Sequence, residues 1–433
     1  MRREEIVQTY HLKGNPGQGL ALATFGFFVG FAAVSLFGPV TNNFNHLMHM
    51  KGLLLGLLIA APNLSGSLLR IPFGAWVDKA GGKKPFIILL LLSLLGMAGL
   101  TAILFFYYPR GITLNMYPVI FFFGLLSGCG IATFSVGVPQ TSYWFPQKKQ
   151  GLALGTYGGL GNTAPGVFGM ILPFALAALG LTASYAAWFV FLLVGTVIYS
   201  LFAQDAYYFQ LAQTGKSQEE AKQIAQDLGQ ELFPSGKMKE ALRISAKTPK
   251  TWLLVILYFT SFGGFLALTG WFPTYWNQYF GLSAGQAGLL MALGFSILAS
   301  LVRIYGGHLS DKFGGELTAV LSYGVVLSGA LILIFTHNFW FALFGEITVG
   351  IGMGTANAAV FKLVPKYVPQ APGGASGWVG GLGAFGGFVV PPILGAFTDL
   401  YGKKGYAAGF WVYVVLAAIA IVTSFILRRS AQS

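Results

Sequence analysis

The sequence predicts an all-α integral membrane protein whose twelve transmembrane helices form two six-helix bundles. Three observations carry that prediction. The composition is apolar, the apolar runs fall six and six around one long polar interval, and an internal repeat relates the two sets. Hydrophobic residues make up 55% of the chain and charged residues only 9%, against about 25% charged in a soluble domain. The 60 glycines are about twice the usual share, as suits membrane helices whose backbones approach closely.

Apolar runs lie at roughly 19–42, 52–77, 84–107, 114–144, 151–179 and 183–204, then at 252–278, 284–310, 316–336, 338–363, 373–398 and 405–427. Each is long enough to cross a hydrocarbon core of about 30 Å. They divide the chain into an N-terminal segment 1–18, a first bundle 19–204, a linker 205–250, a second bundle 251–428 and a tail 429–433. The run from Gly19 is too long for a signal-peptide core, so it reads as the first transmembrane helix.

The net charge of +13 would suggest nucleic acid in a soluble protein, but here it sorts by membrane face. Lys13, Lys79, Lys83, Lys84, Lys312, Lys362, Lys366, Arg428 and Arg429 share one side with Arg2 and the lysines of the linker. The other side receives only Lys51, Arg110, Lys403 and Lys404. The positive-inside rule then places both termini and the linker in the cytoplasm, with the protein in the cell membrane. In the linker, Ser217-Gln-Glu-Glu220 has capping-box spacing and opens a short surface helix. That interval is expected to be a solvated tether or a regulatory segment.

Several functions are excluded at this point. Cys129 stands alone, so no intramolecular disulfide forms and it reads as a small packing residue. His11, His46, His49, His308 and His337 form no metal-binding pattern, and no phosphate-cradling loop with lysine and serine or threonine is present. No cofactor, metal, nucleic acid or obligate protein partner is expected, and the chain reads as a monomer in a lipid bilayer. Neither an enzyme nor a receptor fits.

The repeat is clearest in Ser67 to Gly82, SLLRIPFGAWVDKAGG, which returns as SLVRIYGGHLSDKFGG at Ser300 to Gly315. At an offset of 233, Ser67, Arg70, Gly74 and Asp78 match Ser300, Arg303, Gly307 and Asp311. Gly155-Thr-Tyr-Gly-Gly-Leu-Gly-Asn162 likewise matches Gly377-Trp-Val-Gly-Gly-Leu-Gly-Ala384. Two related bundles rocking about a site between them is the arrangement that alternating access requires.

Arg70 lies eight residues before Asp78, or about 12 Å along a helix, well inside the bilayer. A membrane arginine costs roughly 2.5–3.5 kcal/mol on insertion scales and needs a reason. Of the thirteen acidic residues only Glu346 looks intramembrane. Two arginines with at most one candidate carboxylate leave an electropositive cavity, which is a site for an anion.

Gly74-x-x-x-Asp78-Lys79-x-Gly81-Gly82-Lys83-Lys84 resembles the loop signature of the major facilitator superfamily, with Asp311-Lys312-x-Gly314-Gly315 as its echo. Such a loop needs glycines for a tight turn and a carboxylate to pair with a base or a helix end. Arg70, Arg303 and the glycine-rich fifth and eleventh helices together resemble the nitrate/nitrite porter (NarK-type) family within it. The run from Phe145-Pro-Gln-Lys-Lys-Gln-Gly151 to Asn162 is similar to that family's first signature, and Gly377 to Phe388 to its second. Ala164 and Tyr157 depart from the pattern.

The resemblance implies nitrate or nitrite held in plane by two guanidiniums, with Phe134 and Phe262 covering its faces and Tyr258 donating a hydroxyl. Asn162 would donate an amide or bridge helices. Gly155, Gly159 and Gly161, with Gly377, Gly381 and Gly383, would let helices slide or simply pack closely. Asp78 and Asp311 belong to the gating loops. Two fixed charges and one monovalent anion favour nitrate/nitrite exchange, because the empty cavity would carry +2. Nitrate–proton symport would need a relay, for which Glu346 is the candidate, although it also reads as a packing residue. A small organic anion is a further alternative.

Overall fold

The computed structural model describes residues 3–234 and 238–430. Arg2, Lys237 and residues 431–433 lie outside them, as do Gly151 and the side chains of Gln147, Lys148 and Gln150 in the first glycine signature. Among the described residues every regular element is a helix.

Eleven helical stretches are long and apolar enough to cross a membrane, and one of these, Leu152–Phe202, holds two crossings. A continuous helix of its 51 residues would extend about 75 Å, more than twice the bilayer core. Gly180 breaks it at φ 77°, ψ 173°, a conformation open essentially to glycine alone. The helices are therefore α1 (Pro16–Met48), α2 (Gly52–Ala80), α3 (Lys83–Tyr107), α4 (Leu114–Trp144), α5 (152–179) and α6 (181–202). The second set is α7 (Pro249–Phe280), α8 (Ala284–Phe313), α9 (Gly315–Phe335), α10 (Phe339–Tyr367), α11 (Gly374–Ala408) and α12 (Trp411–Arg429).

Local signals set the ends. Asn15 caps α1, its Oδ1 accepting from the Gln18 N–H at 2.9 Å, with Pro16 in the first turn. Ser283 and Gln286 form a reciprocal capping box at the start of α8. Gly81 and Gly314, equivalent in the repeat, end α2 and α8 with φ of 77° and 85°.

The bundles meet through small residues, α2 against α11 and α5 against α8. A Cβ on Gly56 would lie 2.3 Å from the Pro391 carbonyl oxygen, and one on Gly288 would lie 2.4 Å from that of Gly169. On the face away from the linker, Asn42 Nδ2 donates to Asn277 Oδ1 at 2.6 Å and Gln278 Nε2 donates to Asn42 Oδ1 at 2.5 Å. There the Asp399 carboxylate at the end of α11 accepts from Gly52 N–H at 2.6 Å and Leu53 N–H at 2.9 Å. This carboxylate caps the first turn of α2 from the other bundle. Toward the linker, a Cβ on Gly155 of α5 would meet nothing within 4 Å.

The linker is not a solvated tether. It folds into three helices, Tyr207–Gln213, Gln218–Asp227 and Met238–Lys247, and the Ser217 side chain caps the second as its spacing predicts. Tyr207, Phe209, Leu211, Ala221 and Ala225 are buried. Gln230 Nε2 donates to the Tyr143 carbonyl at 2.8 Å, and its Oε1 accepts from Tyr208 N–H at 3.0 Å. These contacts fasten the first two linker helices beneath the first bundle. The third lies under the second bundle, where Trp378 Nε1 donates to the Leu242 carbonyl at 3.0 Å. At the linker's start Asp205 accepts from Lys83 N–H at 2.9 Å. Burial pushes this carboxyl above the usual carboxylate range, while hydrogen bonds from the Lys83 and Gly82 backbone pull the other way.

Candidate functional site

The site begins with an interruption in α2. Pro72 has no N–H to give to the Leu68 carbonyl, and the helix slips at Leu69, immediately before Arg70. Arg70 is fully buried. Its Nη1 donates across the bundle interface to the Gly380 carbonyl at 3.3 Å, while Nε and Nη2 have no partner. Those two nitrogens form one edge of the planar guanidinium, the edge that can grip two oxygens at once. Arg303 of α8 also carries a buried, unpartnered Nη1. Neither arginine forms an ion pair among the described residues. An uncompensated buried charge is strongly unfavourable, so a counter-charge at this centre would be favourable.

Aromatic rings gather both arginines. The Arg70 guanidinium carbon lies 5.0 Å from the ring centroids of both Phe134 and Phe262, which are themselves stacked 6.1 Å apart. Arg303 lies 5.8 Å from Phe134 and 5.8 Å from Phe361 of α10. The Tyr258 and Phe262 rings stack at 4.9 Å and 8°. Between them α7 widens into a π-helical turn over Phe259–Gly263, a feature common where helices carry function. The Tyr258 hydroxyl faces Arg303 but closes no hydrogen bond of ordinary geometry.

Further polar atoms on the surrounding helices are buried without partners: Ser67 Oγ, Ser296 Oγ, and both side-chain amide atoms of Asn162. Buried polar groups are nearly always hydrogen-bonded. Chemically, the centre offers two cations, hydroxyl and amide donors, and flat aromatic walls. That combination suits a small planar anion.

The structure thus brings together Arg70, Arg303, Phe134, Tyr258 and Phe262. Asn162 ends the first helical part of α5 and takes the Ser300 hydroxyl on its backbone carbonyl at 3.0 Å, bridging the bundles there. Phe27, Phe31 and Phe361 also belong to the aromatic wall, and nothing in the sequence distinguishes them from the other phenylalanines. Ser67 carried a signal, since it is equivalent to Ser300 in the repeat.

Other expected residues lie elsewhere. Glu346 is fully buried within the second bundle, where Oε2 accepts from Trp276 Nε1 at 2.7 Å and Oε1 has no partner. No contact joins it to either arginine among the described residues. Asp78 accepts from the Tyr143 hydroxyl at 2.5 Å, and Asp311 pairs with Lys362 at 2.5 Å. Among the described residues Asp78 is satisfied by a phenol rather than by a base or helix end. The glycines divide. A Cβ would fall 2.0 Å from Phe27 Cδ1 at Gly161, 2.6 Å from Ile71 Cγ1 at Gly381 and 2.7 Å from Tyr258 Cδ1 at Gly383. At Gly159 and Gly377 it would meet only ordinary contacts of 3.5 and 3.6 Å, and at Gly155 none. Close packing explains the first three and not the others.

Comparison with known proteins identifies related sequences and a shared architecture. The sequence model of the Major Facilitator Superfamily matches residues 20–294 and 276–433. The chain is 30% identical over 429 residues to the probable nitrate/nitrite antiporter NarK1 of Thermus thermophilus, covering 93% of this chain and 89% of that one. It is 29% identical over 409 residues to the nitrite extrusion protein of Bacillus subtilis, covering 94% and 92%. In architecture it resembles the xylose transporter XylE of E. coli in a partially occluded inward-open conformation. That match has a TM-score of 0.71 and 13% identity, covering 96% of this chain and 99% of that one.

Proposed function

Because this chain belongs to the major facilitator superfamily, we propose that it carries nitrate and nitrite across the cell membrane, exchanging one for the other by alternating access. One observation carries the substrate class: fully buried Arg70 and half-buried Arg303, without a carboxylate among the described residues and with a two-nitrogen edge of Arg70 left unpartnered. The names of the relatives in Thermus and Bacillus support the choice of anion. In this mechanism the anion bridges the two arginines while Phe134 and Phe262 cover its faces. The Tyr258 hydroxyl and the Asn162 amide supply further donors. The asymmetry of basic residues supports a cytoplasmic linker and cytoplasmic termini; in that orientation the closed face is external and this conformation receives anions from inside.

Exchange follows from charge. With an anion bound the centre carries about one net positive charge, and empty it carries two. Reorienting the empty carrier through a low-dielectric barrier is the less favourable half-cycle. The deciding experiment compares nitrate uptake into proteoliposomes loaded with nitrite and into nitrite-free ones. Uptake is expected only in the loaded vesicles. Rapid uptake into empty vesicles driven by a pH gradient would overturn exchange in favour of proton symport, for which Glu346, the one fully buried carboxylate among the described residues, with a bare oxygen, is the candidate.

A further inference from the structure

The third linker helix, Met238–Lys247, has two faces. Ala241 and Ser245 meet α11 so closely that a Cβ on Gly374 would fall 2.4 Å from the Ala241 carbonyl oxygen and 2.7 Å from Ser245 Oγ. Lys239, Arg243 and Lys247 recur every four residues, which places them on one stripe. All three are exposed, and none forms an ion pair among the described residues. Ile244 beside the stripe is also exposed, as is Trp252 in the first turn of α7.

Depth is set by that tryptophan. Trp252 Nε1 donates to the Ala246 carbonyl at 2.9 Å, so a residue type favoured at the membrane–water boundary is bonded directly to the basic helix. Only Thr248 separates the helix from α7. The stripe therefore stands at headgroup level, and Arg428 and Arg429 at the end of α12 are exposed as well.

We propose that Lys239, Arg243 and Lys247 bind the phosphate headgroups of anionic phospholipids in the cytoplasmic leaflet, and that this holds the linker helix against α11. It rests on the orientation proposed above. Phosphate accepts charge-assisted hydrogen bonds from guanidinium and ammonium groups, while Ile244 and Trp252 supply the apolar contact beside them. The helix it steadies carries Gly380, whose carbonyl holds Arg70, so lipid occupancy reaches the anion centre through one packed element. Each basic residue contributes about fivefold to affinity for an anionic surface, on the order of a hundredfold for three.

The test uses the full chain in vesicles with identical leaflets, so insertion direction does not affect the result. A bimane label goes on Ile244→Cys in a Cys129→Ala background, and brominated acyl chains are carried either by phosphatidylglycerol or by phosphatidylcholine. Quenching by the brominated anionic lipid is expected to exceed its mole fraction by about twofold or more. The triple variant Lys239→Gln, Arg243→Gln, Lys247→Gln should bring it down to the mole fraction. Anion exchange should speed up with phosphatidylglycerol in the parent and not in the triple variant, with equal rates in neutral vesicles. Quenching that follows the mole fraction in the parent overturns the proposal, including the case of a soluble acidic partner for this stripe. Equal enrichment in the triple variant overturns it as well. Exchange measured in neutral vesicles reports on the proposed transport function separately.

Discussion

Replacing Arg70 by lysine separates charge from shape. The guanidinium now gives Nη1 to the Gly380 carbonyl at 3.3 Å and keeps Nε and Nη2 free on one edge. An ammonium group on the same stem cannot serve both tasks, and it offers no second nitrogen at fixed spacing. One charge-assisted hydrogen bond to the anion is lost, worth about 1.5–3 kcal/mol. Part of the interaction with the Phe134 and Phe262 rings, both 5.0 Å away, goes with it, at about 0.5–1 kcal/mol. The sum, roughly 2–4 kcal/mol, weakens nitrate binding on the order of 30- to 1000-fold. Equilibrium titration of purified protein measures this directly, with nitrate/nitrite counterflow as the transport readout and the melting temperature as a control for folding. Arg303→Lys should behave alike, because Arg303 Nη1 is also unpartnered. Affinity within about threefold of the parent, at an unchanged melting temperature, would remove that arginine from the site.

Other substitutions separate neighbouring roles. Gly161→Ala drives a methyl group into Phe27 Cδ1, which is wedged between Phe31, Phe134 and Tyr157; it should destabilise the protein by about 1–3 kcal/mol in thermal melts and slow transport. Gly155→Ala meets nothing in this conformation, so the melting temperature should hold while counterflow falls, because its close contact forms only when α5 moves. Tyr258→Phe removes a hydroxyl that faces Arg303 without closing a hydrogen bond of ordinary geometry; folding should be unaffected and nitrate affinity should drop about three- to tenfold. Glu346→Gln keeps an acceptor for Trp276 Nε1 and should leave nitrite-driven exchange within about twofold of the parent, and loss of a pH-driven flux in this variant would instead identify a proton relay.

The legible parts of this chain are those that break the rules of a membrane interior. An arginine in an apolar run is conspicuous because it is unfavourable there, and its return at a fixed offset points to a shared centre from the sequence alone. Glycine signatures were equally plain, but their mechanics were not. Gly155 and Gly161 look alike in sequence, yet one faces empty space and the other an aromatic ring. Phe27, Phe31 and Phe361 were hidden for the opposite reason: phenylalanine is the ordinary filling of such helices, and only packing shows which rings face the arginines. The π-helical turn in α7 depends on neighbouring helices and leaves no local pattern. The linker reads as solvated because it is the one long polar interval, although Tyr207, Tyr208 and Phe209 mark a buried patch within it.

The carboxylate of Asp399 grips backbone N–H groups of α2, and this gives the closure on the face away from the linker an uneven mutational tolerance. At position 53 any residue except proline supplies the same donor, so side-chain variation there leaves the contact intact. Position 52 is constrained differently, because a side chain would strike Thr398 Oγ1 at 2.1 Å and the Gly395 carbonyl at 2.3 Å. Random mutagenesis selecting for a loosened closure on this face should therefore recover changes at Gly52 and Asp399, and at Leu53 chiefly proline.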